Sequence, residues 1–137
     1  MIGDALIASA FVSYIGPFSF KFRQSLWNEQ WMADIVEKKI PITPGIDPLD
    51  VLATPSDIAV WNGEGLPADR VSIENAAIVV SCTRYPLLID PQLQGQKWIK
   101  GKEGGEMVSI QLSQKHWLKK VENAVMQGQV LMIEAIG

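Results

Sequence analysis

The stretch IDPQLQGQKWIK, residues 89–100, decides how the second half of this chain is interpreted. It has an apolar lead-in, a loop with one glycine and then a short helical pattern, which is the layout of a phosphate-binding loop between a strand and a helix. Whether the loop can also bind a phosphate depends on the residues at the positions that contact phosphate in the motif.

That loop has the strand-turn-helix layout of a nucleotide site but lacks most of the residues that bind phosphate. A working motif, G-x-x-x-x-G-K-[ST], supplies converging backbone N–H groups, a lysine for the terminal phosphates and a hydroxyl for magnesium. In DPQLQGQK, Asp90 holds the first glycine position, Pro91 follows it, and only Gly95 matches the motif. Gln96 and Lys97 occupy the lysine and hydroxyl positions. Asp90 thus places a carboxylate where phosphate charge would lie, and Gln96 removes a charge-assisted hydrogen bond typically worth about 1.5–3 kcal/mol.

The end of the last predicted strand gives a second test. Hydrolysis of a magnesium-bound nucleotide needs a strand that ends in Asp, usually followed by Glu. In VLMIEAIG, Glu134 stands at the first of these Walker B positions, and Ala135 leaves the second without a base. We therefore predict no catalytic residue, and we interpret Asp90 and Glu134 as helix-capping or loop-anchoring carboxylates.

Composition narrows the class of protein further. The 137 residues suit one domain, and 47% hydrophobic with 20% charged residues is typical of a globular protein. A net charge of -3 gives no basic surface for nucleic acid or anionic membranes, so neither is predicted as a partner. With one cysteine, Cys82, and one histidine, His116, no disulfide framework or metal site is predicted. The uncharged run at residues 5–20 is too short to cross a bilayer.

The first 39 residues predict two helices. GDALIASAFVSYIG is apolar around almost its whole circumference, so we expect other elements to enclose it. A Gly-Pro pair ends this helix, and a second one runs from a cap at Ser19 to about Lys39. Trp27 and Trp31 lie four residues apart on the second helix, a spacing that favours core packing over an interface patch.

The middle of the chain predicts short helices between connections. Prolines and glycines punctuate residues 40–71, where PLDVLA and PSDIAVW predict two short helices, the second capped by Thr54 with Pro55 at its first position. Ser72 is predicted to cap a longer helix, SIENAAIVVSC. Its AAIVV run is equally compatible with a strand.

The last third predicts a β-α-β-α-β order with parallel strands and right-handed crossovers. Its fourth element, a helix from a cap at Ser113 to Gly128, has the clearest boundaries. Ligands of such sheets bind at the carboxyl ends of the strands, the edge where Asp90 and Glu134 lie. The five segments, in chain order, are YPLLID, KWIKGKE, MVSIQLS, SQKHWLKKVENAVMQG and QVLMIEA.

Several separated blocks together resemble the fifth AAA+ module of a dynein heavy chain, of the axonemal type. The likeness covers the whole chain, and PLLIDPQLQGQKWIK is close to a signature of that module. The blocks are GDALIASAFVSYIGPFSFKFR, WNGEGLPADRVSIENAAIVV, RYPLLIDPQLQGQKWIK and VLMIEAIG.

The resemblance implies a structural part of a microtubule minus-end-directed ATPase motor. It implies α/β architecture with helices following the stalk at residues 1–45 and part of a three-layer P-loop unit of the AAA+ type at residues 46–137. It also implies a lost nucleotide site and no cofactor. The implied task is to relay ring movements to the stalk, through the buttress, and to the linker. Other AAA+ modules of the same heavy chain would be partners, and microtubules only through the full motor in the cytoplasmic or axonemal cytoskeleton.

The chain also departs from that family's pattern, because it is truncated. An AAA+ large subdomain has five strands in the order 5-1-4-3-2, and the chain stops after the third. We therefore expect residues 85–90 either to pair directly with residues 129–135 or to recruit a strand from another copy, since an unpaired apolar edge invites association.

Two other functions fit the residues less fully. One is a divergent P-loop protein that still binds ATP through Lys97 and Glu134. The other is a small α/β adaptor domain that uses the parallel sheet without nucleotide chemistry.

Overall fold

The fold is a set of packed helices followed by a two-stranded parallel sheet. It is seen in a computed structural model that describes residues 1–136. The helices are α1 Ile2–Tyr14, α2 Phe20–Gln24, a π-helical segment Ser25–Trp31, α3 Met32–Glu37, α4 Pro48–Leu52, α5 Pro55–Gly63, α6 Arg70–Ser81, α7 Gln94–Glu103 and α8 Trp117–Gln127. The strands are β1 Val108–Gln111 and β2 Leu131–Glu134, paired in parallel. The predicted α/β class with a short parallel sheet is confirmed.

The first helix is only partly enclosed, although its sequence predicts burial on all sides. Ile7 and Phe11 are buried against neighbouring elements, whereas Ile2 and Leu6 are exposed. At its start the helix meets the chain at residues 41–42 so closely that a Cβ on Gly3 would lie 2.7 Å from the Ile42 Cβ. Glycine is therefore required for this close approach.

The second helix extends over residues 20–37, in agreement with its predicted length. Its middle differs from the prediction, because Ser25–Trp31 is π-helical rather than α-helical. Trp27 is buried and packs with Phe11 and Ile15, and Trp31 contacts the same cluster. The core interpretation of the tryptophan pair is therefore confirmed.

The middle helices follow their predicted signals with one correction. Thr54 caps α5 by accepting a hydrogen bond from the Asp57 N–H at 3.2 Å, with Pro55 in the first turn. The longer helix α6 forms, and the strand alternative is wrong. Its cap is Asp69 rather than Ser72, because the Asp69 carboxylate accepts the Ser72 N–H at 3.0 Å and leaves Ser72 inside the first turn.

The main core joins α4, α5, α6 and α7. Trp61 and Trp98 pack edge to face with ring centroids 6.1 Å apart. The buried Trp98 indole donates to a Glu64 carboxylate oxygen at 3.0 Å, so both its ring and its N–H are satisfied. This contact fixes α7, and with it the loop of the candidate site, against α5. The cluster of buried residues is Leu49, Ala53, Trp61, Leu66, Ala76, Ala77 and Trp98.

The sheet has two of the three predicted strands. Val108 pairs with Leu131 and Gln111 with Glu134 in register. Residues 85–90 form no strand, so the predicted first strand and its direct pairing with residues 129–135 are both wrong within one copy.

The last helix starts later than predicted. α8 begins at Trp117, four residues after Ser113, because residues 112–115 form turns and His116 adopts a left-handed φ of 61°. Such a φ is unfavourable inside a right-handed helix, so the helix begins after it. Gly128 ends the helix with a φ of 66°, as predicted from the sequence.

Candidate functional site

The candidate site lies at the start of α7. Residues 85–90 lead into a tight turn at Pro91 and Gln92, and Leu93 adopts a left-handed φ of 58° before the helix starts at Gln94. The first N–H groups of a helix have no partner within it and carry the positive end of the helix dipole. This end of α7 is therefore the place where an anion would bind.

Asp90 occupies that place with its own carboxylate. Its Oδ1 accepts the Gln94 N–H at 3.1 Å, and its Oδ2 accepts the Gln96 N–H at 2.9 Å. The Asp90 carbonyl also accepts the Leu93 N–H at 3.1 Å, which closes the turn. The predicted capping role of Asp90 is confirmed by these contacts. A phosphate would have to displace this carboxylate from the same N–H groups and would be repelled by its charge.

The other loop residues take structural places. A Cβ on Gly95 would lie 3.2 Å from Leu88 Cδ2 and 3.4 Å from Asp90 Oδ2, so glycine lets the lead-in segment and its carboxylate approach the helix. Gln96 contributes its backbone N–H to Asp90. Lys97 is exposed, and within residues 1–136 its ammonium group makes no hydrogen bond or ion pair.

Glu134, at the end of β2, is held by two side chains of neighbouring elements. Its Oε1 accepts hydrogen bonds from Lys100 Nζ and from Ser109 Oγ, both at 2.6 Å. These bonds, the one from Lys100 above all, lower the pKa of the Glu134 carboxyl from its ordinary value. The anchoring interpretation of Glu134 is confirmed, since it ties β2 to α7 and β1.

The residue after Glu134 supplies no polar group. Ala135 adopts a left-handed φ of 53°, and its side chain cannot act as a base. Asp90 and Glu134 thus each stabilise the end of one element.

A second polar cluster, which the sequence analysis missed, lies away from this loop. Arg23 and Glu74 are 1% and 0% exposed, and their side chains meet at 2.9 Å. The Arg23 guanidinium also donates to the carbonyls of Gly16 and Phe18 and to Asn75 Oδ1, at 2.7–2.9 Å. All three guanidinium nitrogens of Arg23 are therefore hydrogen-bonded.

The same cluster extends to the surface through a second arginine. Arg70 donates to the other Glu74 oxygen and to both oxygens of Asp47, in each case at 2.7 Å. Asp47 also caps α4 by accepting the Leu49 N–H at 2.9 Å. Two positive and two negative groups thus neutralise one another and join the turn after α1 to α4 and α6. The signal in the sequence was a charged residue inside an apolar run, Glu74 in SIENAAIVV.

Residues 1–136 lack both a metal-binding cluster and a membrane-spanning helix. They contain no group of three or more His, Cys, Asp or Glu side chains that could hold a metal ion. None of their helices combines the length and the apolar character needed to cross a membrane.

The mixed α/β fold, with its two-stranded parallel sheet and Glu134 at the end of β2, is compatible with a truncated unit of the AAA+ type. Residues 59–137 match the family model described as the ATP-binding dynein motor region. The chain is 48% identical over 136 residues to dynein axonemal heavy chain 9 of Homo sapiens. It is 51% identical over 135 residues to the flagellar outer arm dynein beta chain of Chlamydomonas reinhardtii, and 50% over 134 to the ciliary dynein beta chain of Heliocidaris crassispina.

The chain therefore belongs to the dynein heavy chain family, within its motor region. The matches cover 98%, 98% and 96% of this chain, respectively, but only 3% of each relative. The resemblance read from the sequence is confirmed at the level of the family and its axonemal members. The number of the AAA+ module stays a prediction.

Proposed function

We propose that this chain is a non-catalytic structural module of a dynein motor ring, the fifth AAA+ module, whose nucleotide site is replaced by its own aspartate. The observation that carries the proposal is the Asp90 carboxylate, which accepts the Gln94 and Gln96 N–H groups where a phosphate would bind. Membership of the dynein family supports a role within a motor. The contacts of Asp90 support the proposal that this module works without binding ATP.

The proposed task is mechanical. The network of Arg23, Asp47, Arg70 and Glu74, which is buried at Arg23 and Glu74, joins the N-terminal helices to α4 and α6. A displacement of the first helices would therefore be transmitted to α6 directly through these side-chain contacts. In the intact heavy chain, this path would relay ring movements to the stalk, through the buttress, and to the linker. Microtubules would be contacted only through the full motor.

The proposed location is the axoneme of cilia or flagella. The relatives named above are axonemal, ciliary and flagellar dynein chains, and this chain is 48–51% identical to them. The neighbouring AAA+ modules of the same heavy chain are the proposed direct partners.

Titration with magnesium-ATP, followed by calorimetry, tests the loss of the nucleotide site. We expect no binding to the 137-residue chain at micromolar concentrations, and no difference between wild type and Lys97→Ala. Micromolar binding that disappears in Lys97→Ala would refute the proposal and support the divergent nucleotide-binding alternative.

A gain of anion binding tests the role of Asp90 directly. Removing the carboxylate in Asp90→Ala exposes the N-terminal N–H groups of α7, which can then donate hydrogen bonds to an inorganic phosphate. We expect phosphate to raise the melting temperature of Asp90→Ala, relative to chloride at matched ionic strength, and not that of wild type. The matched control is Asp50→Ala, which removes an exposed carboxylate elsewhere on the chain. An equal phosphate effect on all three proteins would contradict the proposed role of Asp90.

A further inference from the structure

The helix over residues 20–37 changes its hydrogen-bond register in its middle. Over Ser25–Trp31 it is π-helical, and the Met32 N–H donates to the carbonyl of Trp27, five residues earlier. The flanking segments Phe20–Gln24 and Met32–Glu37 are α-helical. Such π-bulges are rare and are frequently found at functional sites.

The positions of the buried residues explain the bulge. Arg23, Trp27 and Ile35 are all buried, and they follow one another at multiples of four residues. A regular α-helix turns about 100° per residue, so Ile35 would lie about 120° away from Arg23 around the helix. One extra residue within the helix removes about 100° of that difference and brings both side chains to the same face. Packing, rather than local preference, therefore holds the π register.

Return to the α register would change which residues are buried. If the helix stays fixed at Arg23, every residue after the bulge would shift by one position around the helix axis. Each would then occupy the place now held by the residue that follows it in the sequence. Asp34 would then enter the buried place of Ile35, and Gln30 would take that of Trp31. The α register is thus opposed by the burial of polar groups, although it has the better local geometry.

A buried side-chain donor within the π-helical segment has no acceptor among residues 1–136. The Trp27 side chain is 8% exposed, and its indole Nε1 is a buried side-chain nitrogen that finds no acceptor within residues 1–136. Four residues earlier, every guanidinium nitrogen of Arg23 is hydrogen-bonded. The helix therefore has a firmly anchored start and a middle that retains an unsatisfied donor.

We propose that residues 25–37 form a register switch. The burial of Ile35 holds the segment in the π register, and removal of Ile35 from its place returns the segment to the α register. This change turns α3 by about 100° around the helix axis while α2 stays fixed. The switch does not depend on the nucleotide proposal, because its residues lie outside the Asp90 loop and its test involves no nucleotide.

An exchange of two neighbouring residues tests the switch. The double variant Asp34→Ile with Ile35→Asp keeps the composition but places the apolar side chain where the α register would bury it. We expect scalar couplings across hydrogen bonds, measured by NMR, to move from the pair Met32 N–H and Trp27 carbonyl to the pair Met32 N–H and Asn28 carbonyl. The matched control exchanges Val36 and Glu37, which are both exposed, and keeps the original coupling.

Deletion of the exposed Asn28 provides a second test that does not place a charge near the core. Ile35 then follows Arg23 by eleven residues, which brings both to one face of an uninterrupted α-helix. We expect this variant to fold with a melting temperature within about 4 °C of wild type and without couplings across five residues. Loss of folding in the deletion variant, or a π register that persists in either test variant, would overturn the switch.

Discussion

The helical part and the C-terminal part of the molecule differ in how completely their side chains and backbone are partnered. In the helical part, residues 1–81, the buried Arg23 and Glu74 have hydrogen-bond partners for all of their charged groups. In the C-terminal part, Tyr85 and Ile89 are 103% and 88% exposed, on a segment that pairs with no strand within residues 1–136. The helical part completes its buried polar network, although it also exposes apolar side chains such as Ile2 and Tyr14, whereas the C-terminal part contains an apolar segment without a strand partner.

The difference shows which surfaces are built to meet other parts of a protein. Burying charges without full pairing is costly, so complete pairing is needed for the elements that share this network to pack together. Exposed apolar side chains on neighbouring elements indicate contact surfaces instead. On α8, Leu118, Val125 and Met126 are also exposed, at 56%, 70% and 83%.

Breaking the closed network has the largest expected effect. Glu74→Ala leaves Arg23 buried without its carboxylate, and we expect the free energy of unfolding in urea to fall by about 3–5 kcal/mol. The exposed pair of Asp34 and Lys38 provides a matched control. There, Asp34→Ala is expected to cost about 0–1 kcal/mol.

A double variant tests whether Arg23 and Glu74 stabilise the fold through their interaction with each other. Replacing Arg23 and Glu74 together by methionine removes both buried charges and leaves Arg70 paired with Asp47. We expect this variant to lose less stability than the sum of the two single changes, with a coupling free energy of about 0.5–3 kcal/mol. Additive losses would show that the two charges do not stabilise the fold as a pair.

A smaller effect is expected at Glu134, which joins the open sheet to α7. Lys100 and Ser109 lower the pKa of this carboxyl below its ordinary value of 4.5, so its contribution to stability is present above that value. As the pH falls through the lower folded-state pKa, the carboxylate is protonated and the contribution is lost. The stability difference between wild type and Glu134→Gln should thus be constant above about pH 5 and shrink in acid. A difference that is the same at pH 3 and pH 7 would contradict this linkage.

Patterns local in sequence predicted much of the fold and of the candidate site. The cap at Thr54, the helix end at Gly128 and the carboxylate at Asp90 each act within a few residues, so their chemistry can be read from adjacent letters. The displaced cap of α6 is a local error of three residues, because both Asp69 and Ser72 are good caps and only the backbone decides between them.

Features that depend on distant partners were not predicted. Arg23 meets Glu74 across 51 positions of sequence, and no local pattern identifies that partner. Residues 85–90 have the apolar run that predicted a strand, but among residues 1–136 no strand lies beside them to complete a ladder. The π-helical segment had a signal in the strict four-residue spacing of Trp27, Trp31 and Ile35, which exceeds the 3.6 residues of an α-helical turn.

The smallest expected effect on stability lies at the open end, where a change should alter association instead. Ile89 is 88% exposed, so Ile89→Lys is expected to change the free energy of unfolding by no more than about 0.5 kcal/mol. If residues 85–90 recruit a strand from another copy, a lysine on that segment will oppose the pairing. Sedimentation velocity should then show concentration-dependent association of wild type and a monomer for Ile89→Lys. If the wild-type chain stays monomeric at the highest soluble concentration, residues 85–90 do not pair with a strand of another copy. Their exposed apolar side chains would then make contacts of a different kind.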